Sequence, residues 1–164
     1  LKKLFAVLFF ALFCGLVIAD ELPSSAPLFA TTLNNLDDKP IGLEQYRGKP
    51  LVVNFWARWC GPCRAEIPEL LNFRAAHKGK VEILGIGIED NAGPAKDFAK
   101  TYNMDYPAFV AKEKGIPLML ALGNTRGGLP YTLFIDRNGQ VVQVKLGVLK
   151  KSDFDAVKDA LLKK

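Results

Sequence analysis

Leu51-Val52-Val53-Asn54-Phe55-Trp56-Ala57 is an almost continuous apolar run. A strand exposed to water on one side alternates polar with apolar residues, so a run like this one belongs to a strand buried on both faces. Val81-Glu82-Ile83-Leu84-Gly85-Ile86-Gly87-Ile88 repeats the pattern, and between the two runs Arg64 to Ala76 has helical character from about Pro62 onward. Pro68 inside that helix removes one hydrogen bond and is expected to kink it. Two buried strands joined by a helix require layers above and below the sheet, so the chain is expected to be an α/β sandwich with a mixed central sheet flanked by helices.

The remaining elements fit this frame. A turn composition at Asp37-Asp38-Lys39-Pro40 sits between Ala30–Leu36 and a short piece around Ile41, which suggests an N-terminal hairpin. Leu43–Tyr46 reads as a helical turn ended by Gly48 and Pro50. A helix is predicted from about Gly93 to Tyr102, a weaker strand over Tyr106–Val110 and a short helix over Pro117–Leu122. Tyr131–Ile135 and Val141–Leu146 flank an Asn138-Gly139 turn, a hairpin signal. The last helix is expected to start at Ser152 as N-cap, with Asp155 at N3.

The first nineteen of the 164 residues read as a signal peptide. Lys2 and Lys3 form a basic region, Leu4–Ile18 carries no charge, and Val17-Ile18-Ala19 suits a peptidase that cuts before Asp20. The apolar stretch is shorter than the roughly 20 residues that span a bilayer, so a retained membrane anchor is the second reading. Cys14 follows bulky Phe13, which argues against lipidation there. Taking away those nineteen residues leaves 145, one domain's worth, and losing Lys2 and Lys3 lowers the net charge from +5 to +3. Residues 20–29, with Pro23 and Pro27 and no periodicity, read as a flexible lead-in to a domain over 30–164. Basic residues are scattered among acids with no stripe, which excludes nucleic acid as the expected partner.

Cys60-Gly61-Pro62-Cys63 lies where the first buried strand gives way to the helix. The unpaired N–H groups and positive dipole end of a helix N-terminus favour a thiolate, so Cys60 is the expected nucleophile. Cys63 returns to the same face a turn later, within the Cα separation a disulfide permits, and is the expected resolving thiol. With Cys14 gone, no other cysteine remains for a structural bridge. A four-residue ring stabilises a fold by about 2 kcal/mol in the chain-entropy model, against nearly 5 for a loop of about a hundred residues, so exchange is the better purpose for this pair.

Trp59-Cys60-Gly61-Pro62-Cys63 after a buried strand, together with Gly128-Leu129-Pro130-Tyr131-Thr132-Leu133-Phe134-Ile135 opening the late hairpin, resembles the thioredoxin superfamily. Gly48-Lys49-Pro50, Asn54-Phe55-Trp56-Ala57, Arg64-Ala65-Glu66-Ile67-Pro68 and a strand-helix unit inserted over roughly 81–102 make it similar to the exported TlpA/ResA-type thiol:disulfide oxidoreductases. The resemblance implies a thioredoxin-like fold with an N-terminal hairpin and a central strand-helix insertion. It implies a cis peptide at Pro130 beside the cysteines, with the Leu129 backbone free to pair with an extended substrate. Gly61, Pro62 and Trp59 would complete the substrate-binding surface, with Trp59 shielding the sulfur and Trp56 either sharing that task or packing in the core. Glu66 would handle the proton of Cys63, its rival reading being a solvated helix residue. Asn54 stands where cytosolic thioredoxins place a buried Asp, and Tyr131 stands where Thr is usual, either reshaping the substrate groove or covering it.

No cofactor is implied. The expected activity is reduction of disulfides in exported, periplasmic proteins, with a membrane thiol reductase of the DsbD/CcdA type returning electrons. Apocytochrome c, in cytochrome c maturation, a copper chaperone or a general exported disulfide would each suit as substrate. A disulfide-forming oxidant and a Cu(I)-handling protein are the alternatives, and a peroxidase is a weaker one. Zinc is not expected, because His77 lies fourteen residues beyond Cys63, about 20 Å along a helix.

Overall fold

The computed structural model describes residues 21–163. The signal-peptide reading of residues 1–19 therefore lies outside the described residues. In chain order the elements are α1 (Ala26–Phe29), β1 (Thr32–Asn35), β2 (Pro40–Gly42), a 3₁₀ turn over Leu43–Tyr46, β3 (Leu51–Trp56), α2 (Gly61–Ala76), β4 (Glu82–Gly87), α3 (Ala92–Thr101), β5 (Ala108–Val110), a 3₁₀ turn over Lys112–Lys114, α4 (Gly115–Ala121), β6 (Tyr131–Ile135), β7 (Val141–Leu146) and α5 (Lys151–Leu162). Seven strands form one mixed sheet in the order β2-β1-β5-β4-β3-β6-β7. β3, β4 and β5 run parallel, with α2 and α3 as the crossovers, whereas β1 pairs antiparallel to β2 and β5, and β6 to β3 and β7.

All six residues of β3 are buried, and their alternation divides the interior in two. Leu51, Val53 and Phe55 join Leu84, Ile86, Leu133 and Ile135 against α1, α4 and the first 3₁₀ turn. Val52, Ile83 and Phe134 face the other way, onto Leu70 and Phe73 of α2 and Phe154, Val157 and Leu161 of α5. Trp56, Cys60, Cys63, Ala95 and Val110 form a smaller cluster on that second side, at the C-terminal end of the strand. The cysteines therefore sit where the parallel strands end and a helix begins, which is where α/β sheets present their sites.

Two expectations are corrected. Residues 20–29 are not a free lead-in throughout: Ala26–Phe29 is helical, and Leu28 and Phe29 are core residues beneath the sheet, because burying a Leu and a Phe outweighs the cost of ordering one turn. The last helix starts two residues earlier than expected. Its N-cap is Lys150, whose backbone N–H donates to Asp153 Oδ2 at 2.8 Å, so Asp153 and not Asp155 does the work of the N3 acid. The late hairpin forms as expected, β6 pairing with β7 around the turn that follows Asp136, where Gly139 adopts a positive φ of +80° and Asn138 does not. Asp136 Oδ1 accepts from the N–H groups of Asn138 and Gln140, and that side-chain acceptor shapes the turn. Pro68 lies inside α2 without ending it.

Candidate active site

α2 starts on its own functional residue. Cys60 is the N-cap, with extended backbone (φ −84°, ψ 102°), and its Sγ accepts from the Cys63 N–H at 3.2 Å, taking the place that a Ser or Asp oxygen fills in most helices. Pro62 in the first turn forfeits an N–H that has no helical partner there in any case. Cys60 and Cys63 are joined in a disulfide with a Cα separation of 5.3 Å. Cys60 keeps 5% of its surface exposed and Cys63 1%, so what little access there is favours the first sulfur.

Glu66 lies one turn further along α2 and has no exposed surface. Its two oxygens are held from opposite sides: Asn54 Nδ2 donates to Oε1 at 2.6 Å and the Leu149 backbone N–H donates to Oε2 at 2.8 Å. Asn54 Nδ2 also donates to Thr132 Oγ1 at 3.0 Å, across the β3–β6 register that sets Asn54 opposite Thr132. Burial penalises the charged carboxylate and pushes its pKa up to about 7, although both hydrogen bonds pull it down; the Asp153 charge adds a smaller upward push. A carboxyl poised there can take or give a proton near neutrality, in a dry site one turn from a thiol. Tyr106, also buried, is raised by its own burial and next by the Glu66 charge.

Pro130 follows a cis peptide bond and is buried. Leu129, half-buried, packs on the cluster that contains both cysteines. Among the described residues the N–H and C=O of Leu129 have no backbone partner. The loop before it is tied by Asn124, whose Nδ2 donates to the Gly128 carbonyl at 2.7 Å. Gly61 is half-buried and Pro62 exposed beside the disulfide.

Trp59 is 72% exposed and forms an apolar surface next to Cys60 in sequence. Trp56 is the one in the cysteine cluster, stacked on Phe98 at 4.9 Å between ring centroids, with an Nε1 that finds no acceptor among the described residues. Tyr131 neither reshapes nor covers a groove. Its ring turns into the core on the far side of the sheet and its hydroxyl donates to the Leu122 carbonyl at 2.7 Å. His77 caps the distant end of α2, its ring 4.5 Å from that of Phe73. Among the described residues no group of three or more His, Cys, Asp or Glu side chains could hold a metal ion.

Glu89 is a residue that the sequence reading passes over. It follows β4, is nearly buried, and accepts from the Arg58 backbone N–H at 2.6 Å and from Arg58 Nε at 2.9 Å. An acid after an apolar run carries no local signal of such a contact, because its partner lies 31 residues away in sequence.

The Redoxin family profile matches residues 21–161. The chain belongs to the Redoxin family. Among its relatives, the thiol-disulfide oxidoreductase ResA of Bacillus cereus (strain ZK / E33L) is 31% identical over 167 residues, which cover 94% of this chain and 93% of that protein. A thioredoxin family thiol:disulfide interchange protein from Chlorobium tepidum TLS is 31% identical and superposes with a TM-score of 0.72 over 88% of this chain and 99% of its own. A secreted Mycobacterium tuberculosis disulfide oxidoreductase, 24% identical, shares the fold with a TM-score of 0.68 over 83% of this chain and 98% of its own. This Redoxin-family chain is a thiol:disulfide oxidoreductase of thioredoxin-like fold, with a CxxC redox centre at Cys60 and Cys63. Among the described residues no helix is long and apolar enough to cross a membrane.

Proposed function

We propose that this oxidoreductase works as an exported reductant of protein disulfides, with Cys60 attacking, Cys63 resolving and Glu66 carrying the proton between steps. The observation that carries the reading is the buried Glu66 carboxyl, held by Asn54 and Leu149 one helical turn after Cys63. A resolving thiol in a dry site needs a base, and Glu66, with its pKa pushed up to about 7, is suited to that task.

The cycle balances without a cofactor. The Cys60 thiolate attacks one sulfur of a substrate disulfide, and the other leaves as a thiolate. Cys63 gives its proton to Glu66 and attacks Cys60, which forms the enzyme disulfide and releases the second substrate sulfur. Two electrons pass to the substrate, and the departing thiolates take up protons, one of them by way of Glu66. A membrane thiol reductase of the DsbD/CcdA type would then return two electrons to Cys60–Cys63. The substrate would be an exported protein that presents an extended cysteine segment to the unpaired backbone of Leu129 and the exposed Trp59 face. Export itself is supported by the charge and hydropathy pattern of residues 1–19.

Two measurements test this. Cys63→Ser should accumulate mixed disulfides with substrate while Cys60→Ser forms none, and trapping by Cys60→Ser instead reverses the roles. Equilibration in graded thiol/disulfide buffers, read by Trp fluorescence, should give a reduction potential near the thioredoxin value of about −270 mV. A value near −120 mV makes the protein a disulfide-forming oxidant.

A further inference from the structure

Ala57, Arg58, Trp59 and Cys60 form the short loop that carries the sulfur from β3 into α2. This loop is gripped from two sides. From the end of β4, Glu89 holds both the backbone N–H and the Nε of Arg58, a two-point contact at 2.6 and 2.9 Å. From the first turn of α2, Arg64 Nη1 donates to the Arg58 carbonyl at 3.3 Å, and its Nη2 reaches to 3.6 Å from where a side chain on Gly61 would begin. The guanidinium of Arg64 thus lies along the segment that contains Cys60. Glu89 has 6% of its side chain exposed against 44% for Arg58, so the carboxylate is the fixed anchor and the arginine bends to meet it.

Charge follows geometry. Glu89 neutralises Arg58, whereas Arg64 pairs with no carboxylate among the described residues. Glu66 sits deeper on α2, on the Cys63 side, and the other residues of the cysteine cluster, from Trp56, Ala57 and Val110 to Ala95 and Leu129, are uncharged. We propose that Glu89, Arg58 and Arg64 form a brace that positions Cys60 and leaves one uncompensated positive charge, that of Arg64, beside its sulfur. Glu89 is in this role a positioning residue: it fixes the loop and cancels the second arginine, so that the thiolate of Cys60 is favoured by the helix N-terminus and by one cation only.

The proposal rests on Cys60 as the attacking thiol, and its test is read on that sulfur without any substrate. Rates of iodoacetamide alkylation would be followed against pH in the full-length reduced Cys63→Ser protein, with peptide masses separating Cys60 from Cys14. Arg64→Gln should raise the titration midpoint of Cys60 by about 0.5 pH, a roughly threefold slower reaction below the midpoint. Glu89→Gln keeps an oxygen for the Arg58 N–H but frees the arginine's charge, and should speed the reaction by a similar factor. Shifts of opposite sign support the brace, because a purely structural role would not set their directions. Unchanged rates in both variants, or a shift in the same direction, overturn it. If Glu89→Gln does not fold, an unchanged midpoint in Arg64→Gln, a change on an exposed side chain, is sufficient to overturn it. Misassigned roles for Cys60 and Cys63 would appear separately, as trapping by the wrong serine variant.

Discussion

Replacing Glu66 by Gln should change how the stability of the oxidised protein depends on pH. In the folded chain the carboxyl titrates at about 7 instead of its ordinary 4.5, because burial disfavours the charge more than Asn54 and Leu149 favour it. The folded state therefore holds a proton between those values that the unfolded state has released. Its contribution to stability is fully present below pH 4.5 and is lost as pH rises through about 7, a difference of about 3 kcal/mol at about 1.4 kcal/mol per pH unit. Gln carries no charge, and it can be accommodated: if the Asn54 amide turns over, its oxygen accepts from the Gln Nε2 and from the Thr132 hydroxyl, while the Gln oxygen keeps the Leu149 N–H. Urea denaturation of both oxidised proteins from pH 4.5 to 8.5, at constant ionic strength, measures the effect. The advantage of Glu66→Gln over the parent should grow from near zero at the acid end to about 3 kcal/mol above pH 8. Parallel curves would refute the buried, raised carboxyl. The same variant should slow the release of substrate from the mixed disulfide by about a hundredfold near neutrality, the lower end of what a general base contributes.

Other perturbations test the surroundings. Asn54→Leu takes the donor from both Glu66 Oε1 and Thr132 Oγ1 and should cost about 1–3 kcal/mol in chemical denaturation; removing a bond to the ionised form should also move the Glu66 titration further upward. Gly85→Ala would set a methyl 3.0 Å from the Tyr106 ring and 3.2 Å from Trp56 Nε1, overpacking the sheet beside Asn54; a loss of about 1–3 kcal/mol is expected, and an unchanged midpoint would mean that both rings move freely aside. Leu28→Ala should destabilise the domain by about 2–5 kcal/mol, since Leu28 is a core residue, whereas a truly free lead-in would tolerate the change.

Much of the architecture was legible in the sequence because it rests on local pattern. The buried strands β3 and β4 stand out as nearly continuous apolar runs, the helix between them begins at a Gly-Pro that suits a first helical turn, and the late hairpin is marked by turn residues between two strand-like stretches. Where local signals misled, a longer contact had won. α1 has too few residues to announce itself, yet Leu28 and Phe29 are fixed by the sheet above them. Ser152 is a good capping residue, but the chain leaving β7 sets Lys150 at the cap and Asp153 within reach of its N–H. Of two nearby tryptophans, composition could not tell which one faces water.

Local sequence is enough for the redox pair and its setting, since Cys60 and Cys63, three residues apart at a strand-to-helix junction, need only backbone geometry to meet. It named Glu66 but could not choose between a surface acid and a buried one. Tertiary structure decided that, through an Asn54 twelve residues before it and a Leu149 eighty-three residues after it. Tertiary structure alone paired Asn54 with Thr132 and brought Glu89 to Arg58. The reason is physical: periodicity and capping act over a turn or two of chain, whereas the desolvation that moves a carboxyl to neutrality depends on what the rest of the fold packs around it.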